Sequence, residues 1–186
     1  MEIRNKQESA NLIKKLKLNV LPQQMFHSPK DSDVTEFLEK YPADYYAVRD
    51  RDIVNSPKYN LKVKKEDVVN YVKEKELKNF LVNVSSYNYK DNLLCTCDMQ
   101  INSFDFSVYL WVSLNKETSG RENKEDIYLN TDIYDKRLKK IPGISIAIDY
   151  IFKNNLFNMV VESSVFNVNL GINNEPISIW ELRTHY

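Results

Sequence analysis

The first third of the chain is patterned for helices. Leu12, Ile13 and Leu16 recur at helical spacing behind Ser9, a good N-cap, and Lys14, Lys15 and Lys17 gather toward the other end, which predicts a helix over 9–18. Val34, Phe37, Leu38 and Tyr41 stand at i, i+3, i+4 and i+7. Asp33 with Glu36 resembles a capping pair and Pro42 ends the run, so a second helix is predicted over 33–41. A strand over 45–49 follows, then a helix over 65–78 with Val68, Val69 and Val72 inward.

From Asn79 the period falls to two. Segments 80–87, 93–98, 104–114 and 127–130 are rich in β-branched and aromatic residues, are separated by polar loops and read as strands. Segment 144–154 fits both periods; Pro142-Gly143 before it and Asn154-Asn155 after it favour a helix. Segments 159–170 and 177–183 are strands, joined as a hairpin by the loop 171–176, Gly-Ile-Asn-Asn-Glu-Pro. Early helices and late antiparallel strands make an α+β chain. No repeat or low-complexity linker divides it, so 1–186 is expected to form a single compact domain with approximate lobes 1–78 and 79–186.

Composition narrows the chemistry. Lys plus Arg and Asp plus Glu each number 26, and a formal charge of zero argues against general nucleic-acid binding, which needs a basic surplus. With glycine only at Gly120, Gly143 and Gly171, neither a Walker loop nor a Gly-x-Gly-x-x-Gly turn can form. Two histidines, His27 and His185, and two cysteines leave little material for a zinc site. Cys95 and Cys97 flank Thr96, so in a strand both point to one face; they read as buried thiols of a reducing compartment. The N-terminus is polar. The longest apolar-rich stretch, 141–152, is broken by Ser145 and Asp149 and is too short to span a bilayer. The expected location is cytoplasmic, with no membrane partner.

The late hairpin carries the candidate chemistry. Glu162, Ser164, Phe166 and Val168 share one face of its first strand, and Ile177, Ile179, Glu181 and Arg183 one face of its second. A turn centred near Asn173-Asn174 sets Glu181 near Phe166 and Arg183 near Ser164, with Glu162, Glu181 and Arg183 on one face. Two carboxylates and an arginine there could hold magnesium and a polyphosphate, although the hairpin alone reads first as a solvated face carrying an ordinary ion pair. Arg49, ending the run Tyr45-Tyr46-Ala47-Val48, is a second anion candidate beside a surface charge cluster with Asp50, Arg51 and Asp52. Lys58, Lys62, Lys64 and Lys65 read as a solvated surface. His27 and His185 have no visible nucleophile partner.

Several of these segments, in this order, resemble the ATP-grasp nucleotide-binding domain of phosphoenolpyruvate synthase and pyruvate phosphate dikinase. Ala10-Asn11-Leu12, then Val20-Leu21-Pro22, then Phe26 is similar to that family's opening. Tyr46-Ala47-Val48-Arg49 resembles its Ala-Val-Arg-Ser-Ser strand, and Val161-Glu162 with Trp180-Glu181-Leu182-Arg183-Thr184 looks like its closing hairpin. The resemblance implies a two-lobed ATP-grasp-like domain with a largely antiparallel C-terminal sheet. It implies ATP and magnesium as cofactors, Glu162 and Glu181 as metal ligands, and Arg49 and Arg183 as phosphate contacts, with Arg49 and Glu181 converging on one cleft. The reaction implied, for a catalytic member, is phosphoryl transfer to an unknown acceptor. Two departures weaken the phosphate site: Gln7-Glu8-Ser9 stands in place of the family's Gly-Gly-Lys, and Asp50-Arg51 in place of Ser-Ser. The alternative reading is a non-catalytic protein-interaction module, for example a phage or mobile-element protein binding a host factor.

Overall fold

A computed structural model describes residues 3, 6–51, 59–115 and 126–184. Lys58, Gly120 and His185 lie outside the described residues. The chain divides into two compact units, one of residues 21–88 and one of residues 1–20 with 89–186.

The unit of residues 21–88 is a four-stranded antiparallel sheet carrying two helices. In chain order it holds β1 (Gln23–His27), α2 (Asp31–Lys40), β2 (Tyr45–Asp50), β3 (Tyr59–Lys64), α3 (Val68–Glu74) and β4 (Asn79–Val84), with sheet order β1-β4-β2-β3. Phe26 stacks on Phe80 with ring centroids 5.4 Å apart, and Phe37 of α2 meets Phe26 at 6.1 Å and Tyr46 at 6.3 Å. Each such pair contributes about 0.5–1.5 kcal/mol beyond its area. At the start of α2 the Asp33 carboxylate accepts the Lys30 backbone N–H at 2.8 Å, so Asp33 caps backward without the help of Glu36. The helix expected over 65–78 is a 3-10 turn, Lys65–Asp67, followed by α3, and left-handed Glu76 (φ 52°) lies just beyond its end. Strand β4 pairs with both β1 and β2. That pairing holds residues 79–84 in the unit of residues 21–88.

The other unit is a five-stranded antiparallel sheet under two helices. It contains α1 (Lys6–Lys15), β5 (Leu93–Ile101), β6 (Ser107–Ser113), β7 (Ile127–Asp132), α4 (Ile144–Lys153), β8 (Val160–Leu170) and β9 (Glu175–Arg183), in sheet order β7-β6-β5-β8-β9. Ile144, Ala147, Tyr150 and Ile151 of α4 are buried in one cluster with Cys97, Met99, Val161, Val165, Ile179 and Leu182. Each aliphatic side chain removed from water there is worth about 1.5–3 kcal/mol. Cys95 and Cys97 both lie in this cluster as free thiols. A hydrogen bond to Cys97 and burial push the Cys95 thiol far up, so it stays protonated.

Two buried polar side chains fasten the start of the chain to the last hairpin. Asn19 is fully buried. Its amide nitrogen donates to the carbonyls of Leu170 (2.9 Å), Glu175 (3.3 Å) and Ile177 (2.5 Å), and its Oδ1 accepts the Asn173 N–H at 2.8 Å. Its backbone N–H donates to the Tyr150 hydroxyl at 2.7 Å. Gly171 passes so close that a Cβ would sit 2.6 Å from Asn19 Oδ1, and its φ of +79° is one that favours glycine. Ser9 is not an N-cap. Helix α1 begins at Lys6, and the buried Ser9 hydroxyl accepts the Leu182 N–H of β9 at 2.7 Å. It thereby satisfies a donor on the sheet's edge strand.

Asn19→Ala removes the partner of three carbonyls, two of them buried, and of one N–H, and should lower stability by about 2–4 kcal/mol. Gly171→Ala should cost about 1–3 kcal/mol through overpacking and backbone strain. Urea unfolding of both variants checks these figures; an Asn19→Ala midpoint equal to wild type contradicts the clamp. A second expectation concerns alkali. Burial, assisted by the Glu175 carboxylate, pushes the Tyr150 hydroxyl up to about 12, against about 10 in the unfolded chain. Its raised value contributes stability that is complete below about pH 10 and is lost as pH climbs toward 12. Urea unfolding of wild type and Tyr150→Phe at pH 8, 10 and 11 should show a shallower alkaline decline in the variant.

Candidate functional site

Alternation along β5 separates two faces. Cys95, Cys97, Met99 and Ile101 enter the core, while Thr96, Asp98 and Gln100 take the opposite face. Asp98 pairs across with Trp111 of β6 on one side and Glu162 of β8 on the other, and Glu162 pairs with Glu181 of β9. Residues directly opposite in an antiparallel ladder share a face. Trp111, Asp98, Glu162 and Glu181 therefore form one row across four strands, on the face away from α4.

Sequence alternation alone does not produce this row. On β9, Ile177 and Ile179 pair with Val165 and Ser163, and Leu182 pairs with Val161, all on the core side. A bulge at Trp180 lies between these pairings and shifts the phase by one residue. Glu181 and Arg183 consequently turn to the face of Glu162, which Ile177 and Ile179 leave. Glu162, Glu181 and Arg183 share a face as expected, but the expected neighbours are wrong. Glu181 lies opposite Glu162 rather than Phe166, and Arg183 opposite Val160 rather than Ser164, because Leu170 pairs with Glu175 and the register shifts twice before the strand ends.

Two cations meet the three carboxylates. Arg183 Nη2 pairs with Asp98 Oδ2 and lies 3.8 Å from Glu162 Oε2. Lys6 Nζ of α1 stands 3.8 Å from Glu181 Oε2. Asp98 is 1% exposed, so its charge requires such a partner. The Arg183 Nε is buried with no hydrogen-bond partner among the described residues. Around the row, the Trp180 indole N–H donates to Ser164 Oγ at 2.8 Å, and Ser164 Oγ lies 3.3 Å from Thr96 Oγ1.

Asp98 and Lys6 are absent from the sequence expectation. Asp98 had a usable signal, an ionisable residue in the middle of the run Leu-Leu-Cys-Thr-Cys-Asp-Met-Gln-Ile. Lys6 had none, since only the placement of α1 along β9 brings it near Glu181. Arg49 belongs to the unit of residues 21–88. It is half-buried on β2, opposite Leu81 and on the face away from buried Tyr46 and Val48. In the lysine-rich segment, Lys62 Nζ sits 4.2 Å from the centre of the Tyr87 ring. His27 ends β1, with its Nδ1 2.8 Å from Asn79 Oδ1.

Magnesium, implied by the resemblance, takes oxygen ligands, and carboxylates are the right donors. Their arrangement does not fit the ion. The Arg183 guanidinium stands on Asp98 and beside Glu162, and among the described residues no three His, Cys, Asp or Glu are grouped so as to hold a metal. Among the described residues, too, no helix is long and apolar enough to cross a membrane.

No protein-family model and no curated protein matches this sequence. Solved structures do. The chain is similar to an ADP complex of N5-carboxyaminoimidazole ribonucleotide synthetase, with 12% identity and a TM-score of 0.55 over 100% of this chain and 45% of that one. It is similar to N5-carboxyaminoimidazole synthase from Aspergillus clavatus in complex with ADP and 5-aminoimidazole ribonucleotide, with 10% identity and a TM-score of 0.53 over 99% and 45%. It is also similar to the macrocyclase MdnC bound with precursor peptide MdnA from Microcystis aeruginosa, with 12% identity and a TM-score of 0.51 over 98% and 53%. The chain spans about half the length of these structures. They are ATP-grasp enzymes, and at such identities the likeness bears on fold alone: this chain carries an ATP-grasp-like fold.

Proposed function

We propose that this chain is a nucleotide-binding protein of ATP-grasp type. The observation that carries the reading is the row Asp98, Glu162 and Glu181, with Arg183 against Asp98 and Glu162, on the face of the five-stranded sheet away from α4 in an ATP-grasp-like fold. Two of the similar structures hold ADP. Arg183 is the phosphate contact of this proposal, because its buried Nε is a charged donor still without an acceptor among the described residues. Arg49 is a second phosphate contact, carried over from its place at the end of Tyr46-Ala47-Val48-Arg49. The narrower kinship with phosphoenolpyruvate synthase and pyruvate phosphate dikinase rests on that segment and on the closing hairpin. Phosphoryl transfer to an acceptor belongs to the same proposal; no residue is assigned as its catalytic base.

The competing reading, a protein-interaction module, has in its favour the most exposed aromatics among the described residues, Phe104, Tyr134 and Tyr128. Nucleotide binding separates the two. ATP or ADP at about 100 times its dissociation constant should raise the melting temperature by about 5–10 °C. Calorimetric titration of Arg49→Ala should show ATP binding weakened roughly ten- to hundred-fold, about 1.5–3 kcal/mol, with unliganded stability little changed. A wild-type protein that binds neither ATP nor ADP overturns the nucleotide reading and leaves the interaction module in its place.

A further inference from the structure

Arg183 touches carboxylates on two neighbouring strands and has a donor to spare. Nη2 holds Asp98 and approaches Glu162, while Nε is buried and has no hydrogen-bond partner among the described residues. A divalent ion between carboxylates and a phosphate has the same electrostatic position: positive charge facing protein oxygens on one side and ligand oxygens on the other. We infer that Arg183 takes the place of the divalent cation on this face, so that the face excludes magnesium and binds phosphate without a metal. The phosphate half of this inference rests on the nucleotide reading; the exclusion of the ion does not.

The physical case has three parts. The first is that Asp98 is 1% exposed, and a carboxylate this buried is costly without a fixed cationic partner such as a guanidinium. The second is that an ion drawn toward Asp98, Glu162 and Glu181 would meet a fixed positive charge already seated between two of them, and at this burial the repulsion is poorly screened. The third is the backbone. The Ser9 hydroxyl holds the Leu182 N–H, and Leu182 itself is fully buried, which fixes the strand at the residue between Glu181 and Arg183.

Terbium tests the exclusion without any nucleotide. It seeks oxygen ligands as calcium and magnesium do, and its emission is sensitised by nearby tryptophan. Trp111 lies in the row itself, and Trp180 sits on the same face, bonded to Ser164. Wild type should show no saturable sensitised emission. Arg183→Gln, which removes the guanidinium from Asp98 and Glu162, should bind terbium at least tenfold more tightly than wild type. Magnesium should compete, and adding Glu162→Gln should abolish the gain. Two outcomes overturn the inference: saturable emission in wild type that Glu162→Gln removes, or a folded Arg183→Gln protein that gains no terbium. The wild-type titration decides alone where Arg183→Gln does not fold. For the phosphate half, wild-type ATP affinity should agree within twofold in EDTA and in magnesium chloride, and a tenfold dependence on magnesium contradicts it. Absence of all ATP binding removes the nucleotide reading and leaves the terbium result to stand or fall by itself.

Discussion

The last hairpin depends on one buried amide. Asn19 carries no charge and makes no contact with the acidic row, yet it determines where the row lies. A turn of this length leaves carbonyls pointing inward at Leu170, Glu175 and Ile177, and the Asn19 side chain reaches all three while its oxygen takes the Asn173 N–H. A hydrophobic residue could fill the space but would leave those groups unsatisfied, and a carboxylate would face three carbonyl oxygens. Gly171 is the complementary constraint, since any side chain would collide with that amide. The clamp joins residues some 150 apart in sequence, as its separations of 151 to 158 show.

From that anchor the register runs along β8 and β9 to the bulge. Ile177 and Ile179 must enter the core with Val165, and Leu182 must enter it with Val161. These positions differ by an odd number, so a regular strand cannot bury all of them. The extra residue, Trp180, resolves the conflict, and its indole finds Ser164 on the outer face. Glu181 and Arg183 are turned outward together as a consequence. Core packing thus decides the orientation of the polar row, and the bulge links the two requirements.

This bulge marks the limit of what the sequence shows. Strong local patterns translate directly: the run around Phe37 and Leu38 is α2, Ile144–Lys153 is α4, and the alternation of Cys95, Cys97 and Met99 is β5. Strand β1 is short and rich in glutamine, and β3 alternates lysine with apolar residues. Each is held mainly by its neighbour in the sheet, and neither announces itself. Ser9 has the chemistry of an N-cap and is used instead for a tertiary bond to Leu182, because the helix starts a turn earlier. Of the site, Glu162, Glu181 and Arg183 were legible as one face, although by a parity argument that ignored the bulge. Asp98 showed only as an ionisable residue inside a strand-like run, and its place in the row comes from pairing with β8 across a long stretch of chain.

The row also poses a question of charge that composition hides. The whole chain balances 26 cations against 26 carboxylates, but neutrality overall does not neutralise a buried aspartate. Asp98 is surrounded on its face by tryptophan, serine, threonine and glutamates, none of which can offset it. A mobile ion could, at the cost of making the fold depend on its supply. Arginine does so permanently, and its planar head can serve two carboxylates while leaving Nε over. What it gives up is exchangeability, because a guanidinium cannot leave with a product or be replaced by a different metal. A face built this way is suited to holding an anion rather than to cycling one, which places the burden of any chemistry on groups the row itself does not contain.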